Sequence, residues 1–321
     1  MTRTWIIEAL GERAFSRLAD ELPGTTLQSV LLEVMRHRAL KRGPAELLAQ
    51  YRRDGFVRPA AIDQRVLVEL DRELLAAASP YEAIELSPVA PLGACSQMAL
   101  TDQHRTIGAI RGVEVVSDPT NLLALECAER LRAAPAAIVR LATSQRVVRA
   151  QPYPKLPGFA PHFRLFAMVT AAREQAEHAV VTAAIVDHVC VMLRAFARLE
   201  GCGYAFGARR VEILARPDRA EVGDRIAAQL ATALAAEPAL GEPSRPATSR
   251  GVLEHAYYNG GIRHRVWATT PAGVEMPIGD GGTFDWMTRL TSNQRNVFVA
   301  SGLGAQLVAA AFRTGGIVQP A

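Results

Sequence analysis

The residues best suited to chemistry fall in four stretches of the chain. The first is Arg149-Ala150-Gln151, followed by a proline-rich loop (Pro152, Pro154, Pro157, Gly158, Pro161) and then Phe163-Arg164-Leu165-Phe166. An arginine's planar fork matches phosphate oxygens two at a time, and an aromatic face suits a flat ring. The second stretch is Ser117-Asp118-Pro119-Thr120. Here Asp118, or Glu114 nearby, can receive an ammonium group beside the Thr120 hydroxyl; equally, Asp118 can cap a helix that starts at Thr120 and continues from Asn121 to Arg130. The last two are rich in glycine: Tyr257-Tyr258-Asn259-Gly260-Gly261 with Pro277-Ile278-Gly279-Asp280-Gly281-Gly282-Thr283-Phe284-Asp285, and Val299-Ala300-Ser301-Gly302-Leu303-Gly304-Ala305-Gln306-Leu307. Consecutive glycines let a backbone approach a ligand, and a strand that turns into a helix through Gly302 and Gly304 can aim N–H groups into a pocket. Turn glycines in an antiparallel sheet are the plain alternative.

Other groups carry less. His188, Cys190 and Cys202 hold metal-ligating atoms, but the first two stand two positions apart in a helical stretch and so point to different faces. The four cysteines, with Cys95 and Cys127, form no Cys-x-x-Cys pair and read as buried thiols rather than a disulfide frame or zinc ribbon. His162 and Arg164 can each touch a ligand or lie on the wet face of a strand, with Arg164 the better ligand candidate.

These residues need elements to hold them. Residues 1–78 read as helices. Leu27, Val30, Leu31, Val34 and Met35 follow helical spacing behind a Thr25–Gln28 capping box, which predicts one buried face. A second helix opens at Pro44 through Leu47, Leu48 and Tyr51, and a third follows Asp63 with Val66, Leu67, Leu70 and Leu74 on one side. Arg36, Arg38, Lys41, Arg42, Arg52 and Arg53 read as a solvated edge. From Tyr81, short apolar runs bounded by Pro and Gly predict strands at Ala83–Leu86, Ile107–Ile110, Val113–Val116, Ile138–Leu141 and Phe163–Val169. Helices are expected near Glu174–Leu199, Asp218–Leu234 and Gly304–Phe312, strands near Tyr257–Ala268 and Asn296–Ser301, and a surface loop over Glu237–Arg250.

The chain has 321 residues, 36 Lys+Arg against 32 Asp+Glu, and 49% hydrophobic residues. That composition excludes disorder and supplies a large core. A net charge of +4 spread over so large a surface is weak support for nucleic-acid binding. No apolar signal core follows Met1-Thr2-Arg3-Thr4-Trp5, and no uncharged apolar run reaches bilayer length, so a cytoplasmic protein with no membrane partner is expected.

The order and spacing of the C-terminal stretches resemble the catalytic domain of histidyl-tRNA synthetases: a paired-Tyr strand, a Gly-Gly-Arg-Tyr-Asp turn and the glycine-rich strand-to-helix junction called motif 3. Arg149 to Phe163 resembles motif 2 of the class II aminoacyl-tRNA synthetases, Ser117 to Thr120 resembles the Arg-Pro-Glu-x-Thr segment that receives the amino group, and Tyr81 to Pro91 resembles motif 1. The resemblance covers about residues 80–315 and implies an α+β fold, a class II-like antiparallel sheet flanked by helices over 79–321, with the helical region 1–78 added. It implies that Arg149 holds the ATP α-phosphate, with Gln151, Phe163, Arg164, Gly302 and Gly304 around the nucleotide. Asp118, Thr120, Tyr257, Tyr258, Gly281 and Gly282 would shape the pocket for an amino acid or small carboxylic acid. Mg²⁺ would accompany ATP; Glu174 and Glu212 are possible ligands. Motif 1 implies a homodimer.

Departures are as informative. The motif 3 Arg falls on Leu307, the histidine-activating Arg on Leu253 with Arg250 off register, the Arg of the Gly-Gly-Arg-Tyr-Asp turn on Thr283, and the motif 2 Glu on Gln151. A neutral leucine cannot replace a phosphate clamp, so ordinary tRNA charging is not expected, nor is an anticodon-binding domain. Two functions remain in view: a stand-alone paralogue that binds ATP or an adenylate and activates a small acid, and a non-catalytic regulator resembling the regulatory subunit of ATP phosphoribosyltransferase, acting on a partner enzyme. An RNA-binding role for the basic helices is a third and lesser reading.

Overall fold

In the computed structural model, which describes residues 3–99, 101–154, 158–240 and 247–315, the chain begins with short helices that use their own end signals. Helices α1 (Arg3–Leu10) and α2 (Glu12–Ser16) lead into α3 (Gly24–Leu40) and α4 (Pro44–Arg53). Pro44 opens α4, and the Gly43 N–H donates to Glu46 Oε2 at 2.9 Å. Helix α5 (Gln64–Ala77) is capped by Asp63, which accepts the Arg65 N–H at 2.8 Å. Two expectations fail in this region. The Thr25–Gln28 capping box does not form, because α3 already starts at Gly24 behind Pro23. Nor is the apolar face of α3 buried: Val30, Leu31, Val34 and Met35 are 39%, 37%, 48% and 51% exposed, since no element among the described residues covers them. Among the described residues of this region, α5 is the helix that enters the core, through Val66, Leu67, Leu70 and Leu74.

The centre is an eight-stranded sheet. Its strands are β1 (Glu82–Ala83), β5 (Val139–Val148), β6 (His162–Arg173), β7 (Arg209–Ala215), β8 (Ala247–Val252), β9 (Ile262–Thr269), β10 (Glu275–Phe284) and β11 (Asn296–Leu303), in spatial order β1-β5-β6-β11-β10-β9-β7-β8. All pairs are antiparallel except the two edges, β1 with β5 and β7 with β8. Strand β8 corrects the expected loop over Glu237–Arg250, whose residues 241–246 lie outside the described ones. A three-stranded sheet of β2 (Val89–Pro91), β4 (Val113–Val115) and β3 (Gly108–Ala109) sits apart. The strand expected over Ala83–Leu86 shortens to β1, and the motif 1-like stretch Tyr81–Pro91 is split between two sheets.

Helices α5, α8 (Ala179–Glu200), α9 (Ala220–Ala236) and α11 (Ala305–Phe312) cover one face of the large sheet, packing Leu74, Val189, Phe196 and Ile226 on Val266 and Val299. Helix α8 is apolar enough on composition to cross a bilayer, but 67% of its most apolar window is buried here against the sheet. The other face carries α7 (Pro119–Ala133), with α6 (Ala94–Ala99) and α10 (Trp286–Thr291) beside it, and a core of Leu123, Leu141, Val169, Trp286 and Phe298. Part of that face is left open.

The Gly281-Gly282 pair, expected in a turn, lies in mid-strand. Gly281 is opposite His264 on β9 and Ser301 on β11. A Cβ there would stand 2.4 Å from Ser301 Oγ and 2.5 Å from His264 Cε1, and one on Gly282 would stand 2.6 Å from the Tyr258 ring. The glycines answer crowding across the sheet rather than a reversal of the chain.

Candidate functional site

The open part of the sheet is a cavity of about 770 Å³. Its floor is β9, β10 and β11, presenting Arg263, Arg265, Asp280, Gly281 and Gly302. Asp118 and Thr120 enter from the start of α7, Arg149 and Gln151 from the end of β5, Tyr257 and Tyr258 from the turn before β9, and Gly304 from the start of α11. Residues scattered over nearly 190 positions of the chain thus meet in one place.

Arg149 is held from several sides. Its Nε donates to the Ser117 carbonyl at 2.9 Å, Nη2 faces Asp118 Oδ2 at 3.4 Å, and the guanidinium lies over the Phe163 ring, 5.2 Å from its centroid. Asp118 does both jobs expected of it. Its Oδ1 accepts the Thr120 N–H at 3.0 Å and hydroxyl at 2.8 Å, capping α7, while Oδ2 stays on the cavity wall. Glu114 does not share the site, because its carboxylate accepts the Gly93 and Cys95 N–H groups and the Gln103 amide. Tyr257 stands edge-on to Tyr258 at 5.1 Å. Burial first, then Asp118 for Tyr257 and Asp280 for Tyr258, raises both phenols well above their usual range, so both serve as neutral hydrogen-bonding groups.

Two further basic residues, Arg263 and Arg265, line the cavity without having been singled out from sequence. Arg263 makes a two-pronged pair with Asp280 at 3.0 and 2.7 Å and lies over the Tyr258 ring; that pair raises its pKa above the usual guanidinium value. Arg265 pairs with Glu212 at 2.7 Å. The available signal was the alternation Arg263-x-Arg265-x-Trp267, which places all three on one strand face.

Two recesses adjoin the cavity. A slot of about 240 Å³ lies between Arg149, Tyr153, Phe159, Phe163, Gly304 and Leu307. Where the resemblance implies an arginine, Leu307 leaves the slot apolar. A chamber of about 170 Å³ runs from Asp118, Arg149 and Tyr257 to Cys95, Thr101 and Arg105. Burial pushes the Cys95 thiol up, away from the reactive thiolate. Among the described cysteines all four are free thiols, and only Cys202 is not fully buried.

Other predicted residues lie elsewhere. Arg164 points to the opposite face of β6 and pairs with Asp71 of α5. Gly282 backs onto Tyr258 and lies off the cavity wall. Leu253 is buried in the α7-side core, Thr283 Oγ1 accepts the Ile262 N–H at 3.1 Å, and Arg250 pairs with Asp224 at 2.9 Å. Pro157 is outside the described residues. Neither candidate magnesium ligand lines the cavity: Glu174 Oε1 accepts the Gln175 and Val180 N–H groups near the start of α8, and Glu212 is bound to Arg265. Among the described residues no group of three or more His, Cys, Asp or Glu is placed to hold a metal ion.

Beneath the floor, facing α8, Ser301 Oγ sits 2.7 Å from His188 Nδ1 and 3.2 Å from His264 Nε2, and Thr170 Oγ1 is 3.0 Å from His188 Nε2. Burial holds both histidines neutral, His188 well below its ordinary value and His264 down to about 4.

No protein-family model matches the sequence, and no curated protein does. Solved structures do. The apo histidyl-tRNA synthetase of Staphylococcus aureus is 11% identical with a TM-score of 0.53, over 76% of this chain and 64% of that one. The ATP phosphoribosyltransferase regulatory subunit/histidyl-tRNA synthetase of Bacillus halodurans is 12% identical with a TM-score of 0.53, over 78% and 81%. A histidine–tRNA ligase subunit of Alicyclobacillus acidocaldarius is 14% identical with a TM-score of 0.54, over 78% and 95%. The chain therefore spans a little under two thirds of the S. aureus enzyme and most of the other two. At such identities the likeness is one of fold, and the fold is that of the class II aminoacyl-tRNA synthetase core, shared with histidyl-tRNA synthetases and their regulatory relatives.

Proposed function

We propose that the cavity binds an adenylate-type ligand, a nucleotide joined to or beside a small amino acid or carboxylic acid. One observation carries this reading: a single cavity gathers Asp118, Thr120, Arg149, Gln151, Tyr257, Tyr258, Gly281, Gly302 and Gly304 and opens into a slot walled by Phe163. Phe163 offers a flat apolar surface for a base, Arg149 a cation for one phosphate at the mouth of the slot, and Asp118 with the two tyrosines a receptor for the acid.

If ATP is the nucleotide, the reaction the arrangement supports is acid activation. A carboxylate oxygen attacks the α-phosphorus, the bond to the bridging oxygen of the β-phosphate breaks, and pyrophosphate leaves with that electron pair. Arg149 then offsets the charge that builds on the α-phosphoryl oxygens. The carboxylates described do not fit a protein-built metal site, and no step is assigned to Mg²⁺.

Leu307 favours a second reading within the same site. A neutral side chain there, with Leu253 withdrawn into the core, suits a regulator that binds its ligand without turning it over and acts on a partner enzyme. A homodimer and a cytoplasmic location go with either reading. Titration calorimetry with ATP and Mg²⁺ on wild type and Arg149→Ala, followed by acid-dependent pyrophosphate exchange, separates them. Binding lost with Arg149 together with exchange supports activation; binding without exchange supports the regulator. No nucleotide binding by the wild type sinks the adenylate reading and leaves only a regulator whose ligand is the acid alone, to be tested by amino-acid binding and by its effect on a partner enzyme's kinetics.

A further inference from the structure

Resting on the ligand site proposed above, we infer that the connector between α4 and α5 is a structural support of that site, and that His162 is its positioning residue. Three consecutive residues at the start of β6 carry the link. Pro161 packs on the connector, since a Cβ at Gly55 would lie 3.5 Å from Pro161 Cγ and from the Tyr153 hydroxyl. The Pro161 carbonyl in turn accepts the backbone N–H of Arg149 at 2.8 Å. His162 is clamped at both ring nitrogens, with Nδ1 3.0 Å from Arg146 Nη1 and Nε2 2.7 Å from the Arg58 carbonyl.

A guanidinium can only donate, so Nδ1 accepts from Arg146 and Nε2–H donates to Arg58. The ring thereby bridges β5 to the connector. Phe163, the next residue, points the other way and lies under the Arg149 guanidinium. The connector thus fixes the backbone on both sides of the Arg149–Phe163 pair. A shallow cleft of about 410 Å³ between Gln50, Arg53 and Phe56 on one side and Tyr153 and Pro161 on the other marks the same junction. Helices α3 and α4 are exposed, but the connector that leads from α4 to α5 is part of the site's frame.

The test measures AMP and ATP–Mg²⁺ affinity by calorimetry, with hydrogen exchange on the same samples, for wild type, His162→Ala, His162→Gln and Gly55→Leu. Glutamine can accept from Arg146 and donate to Arg58, so His162→Gln is expected within about twofold of wild type. His162→Ala is expected to weaken binding about tenfold or more, the value of one hydrogen bond made to a charged partner; Gly55→Leu, whose branched side chain must displace Pro161 or Tyr153, is expected to weaken it in the same direction, and both to lose exchange protection in residues 161–166. Wild-type affinity in His162→Ala, or a loss in His162→Gln equal to that in His162→Ala, overturns the inference. Should His162→Ala fail to fold, Gly55→Leu decides alone. If wild type binds neither nucleotide, the adenylate reading fails and exchange decides the inference: protection of 161–166 unchanged in both disruptive variants overturns it.

Discussion

The two faces of strand β9 do opposite work within eight residues. Ile262, His264, Val266 and Ala268 are buried against the α8 layer, while on the other face Arg263 and Arg265 line the cavity and Trp267 lies under the Arg265 guanidinium. On the packed face the polar group is kept neutral, as His264 beside Ser301 shows. On the cavity face both arginines are charged and paired, Arg263 with Asp280 and Arg265 with Glu212. A period of two is enough to sort stability from recognition along one segment. Substitutions on the first face should therefore be felt in folding, and those on the second in binding.

The sharpest way to break that comparison is on the packed face. Phe196 is fully buried and stacks on Phe206 at 4.3 Å. Its replacement by Ala should cost about 3–5 kcal/mol of stability in urea unfolding. A loss below about 1 kcal/mol would mean that the α8 layer is not the tightly packed one. On the cavity face, Arg149→Ala should weaken nucleotide binding by about 1.5–3 kcal/mol, or roughly ten- to a hundredfold, with a urea midpoint close to wild type. An equal fall in stability would merge the two faces into one role.

Acid should act through the packed face. His264 has a folded pKa of about 4 against an ordinary 6.5, and burial lowers that of His188 well below the ordinary value too. The unfolded chain then binds more protons below pH 6.5, so the contribution is complete above that value and is lost as pH falls toward 4. Each histidine adds up to about 1.4 kcal/mol per pH unit to the slope. Urea titrations at several pH values should show it, and His264→Leu should remove up to half of it; a slope the same in that variant would separate the histidines from acid sensitivity. The smallest effect is expected on α3. Val34 is 48% exposed, and Val34→Ser should change stability by no more than about 0.5 kcal/mol. A larger change would reveal that α3 is covered in solution.

Local signals were legible wherever a residue's effect is confined to its own turn. Pro44 at the start of α4 and Asp63 capping α5 needed no tertiary information. The approach of β11 to α11 through Gly302 and Gly304 was also visible, because a strand ending in glycines before an apolar helical run has few alternatives. What misled was spacing without context. Leu27 to Met35 have helical periodicity and do form a helix, yet periodicity does not say whether a partner surface exists. The Gly281-Gly282 pair looked like a turn because crowding from His264, Ser301 and Tyr258 comes from segments distant in sequence.

The cavity divides in the same way. Arg149, Asp118, Tyr257 and the glycines of β11 carry chemistry that a linear reading can find. Arg164 sits in the same segment as Phe163, and only the pleat decides that one faces Asp71 and the other the slot. Arg263 and Arg265 were passed over because their meaning depends on Asp280 and Glu212, which the sheet brings opposite them.

By itself, then, the sequence determined the helix starts, the strand-rich character of the chain after Tyr81, and the residue types able to meet a phosphate, a flat ring and an ammonium group. These follow from backbone geometry and side-chain chemistry, which act within a few residues. The tertiary structure alone decided which of those residues share a cavity, which carboxylate pairs with which arginine, which histidines are dry, and that the α4–α5 connector reaches the site. Each of those depends on strand register and layer packing, which join positions far apart in the chain.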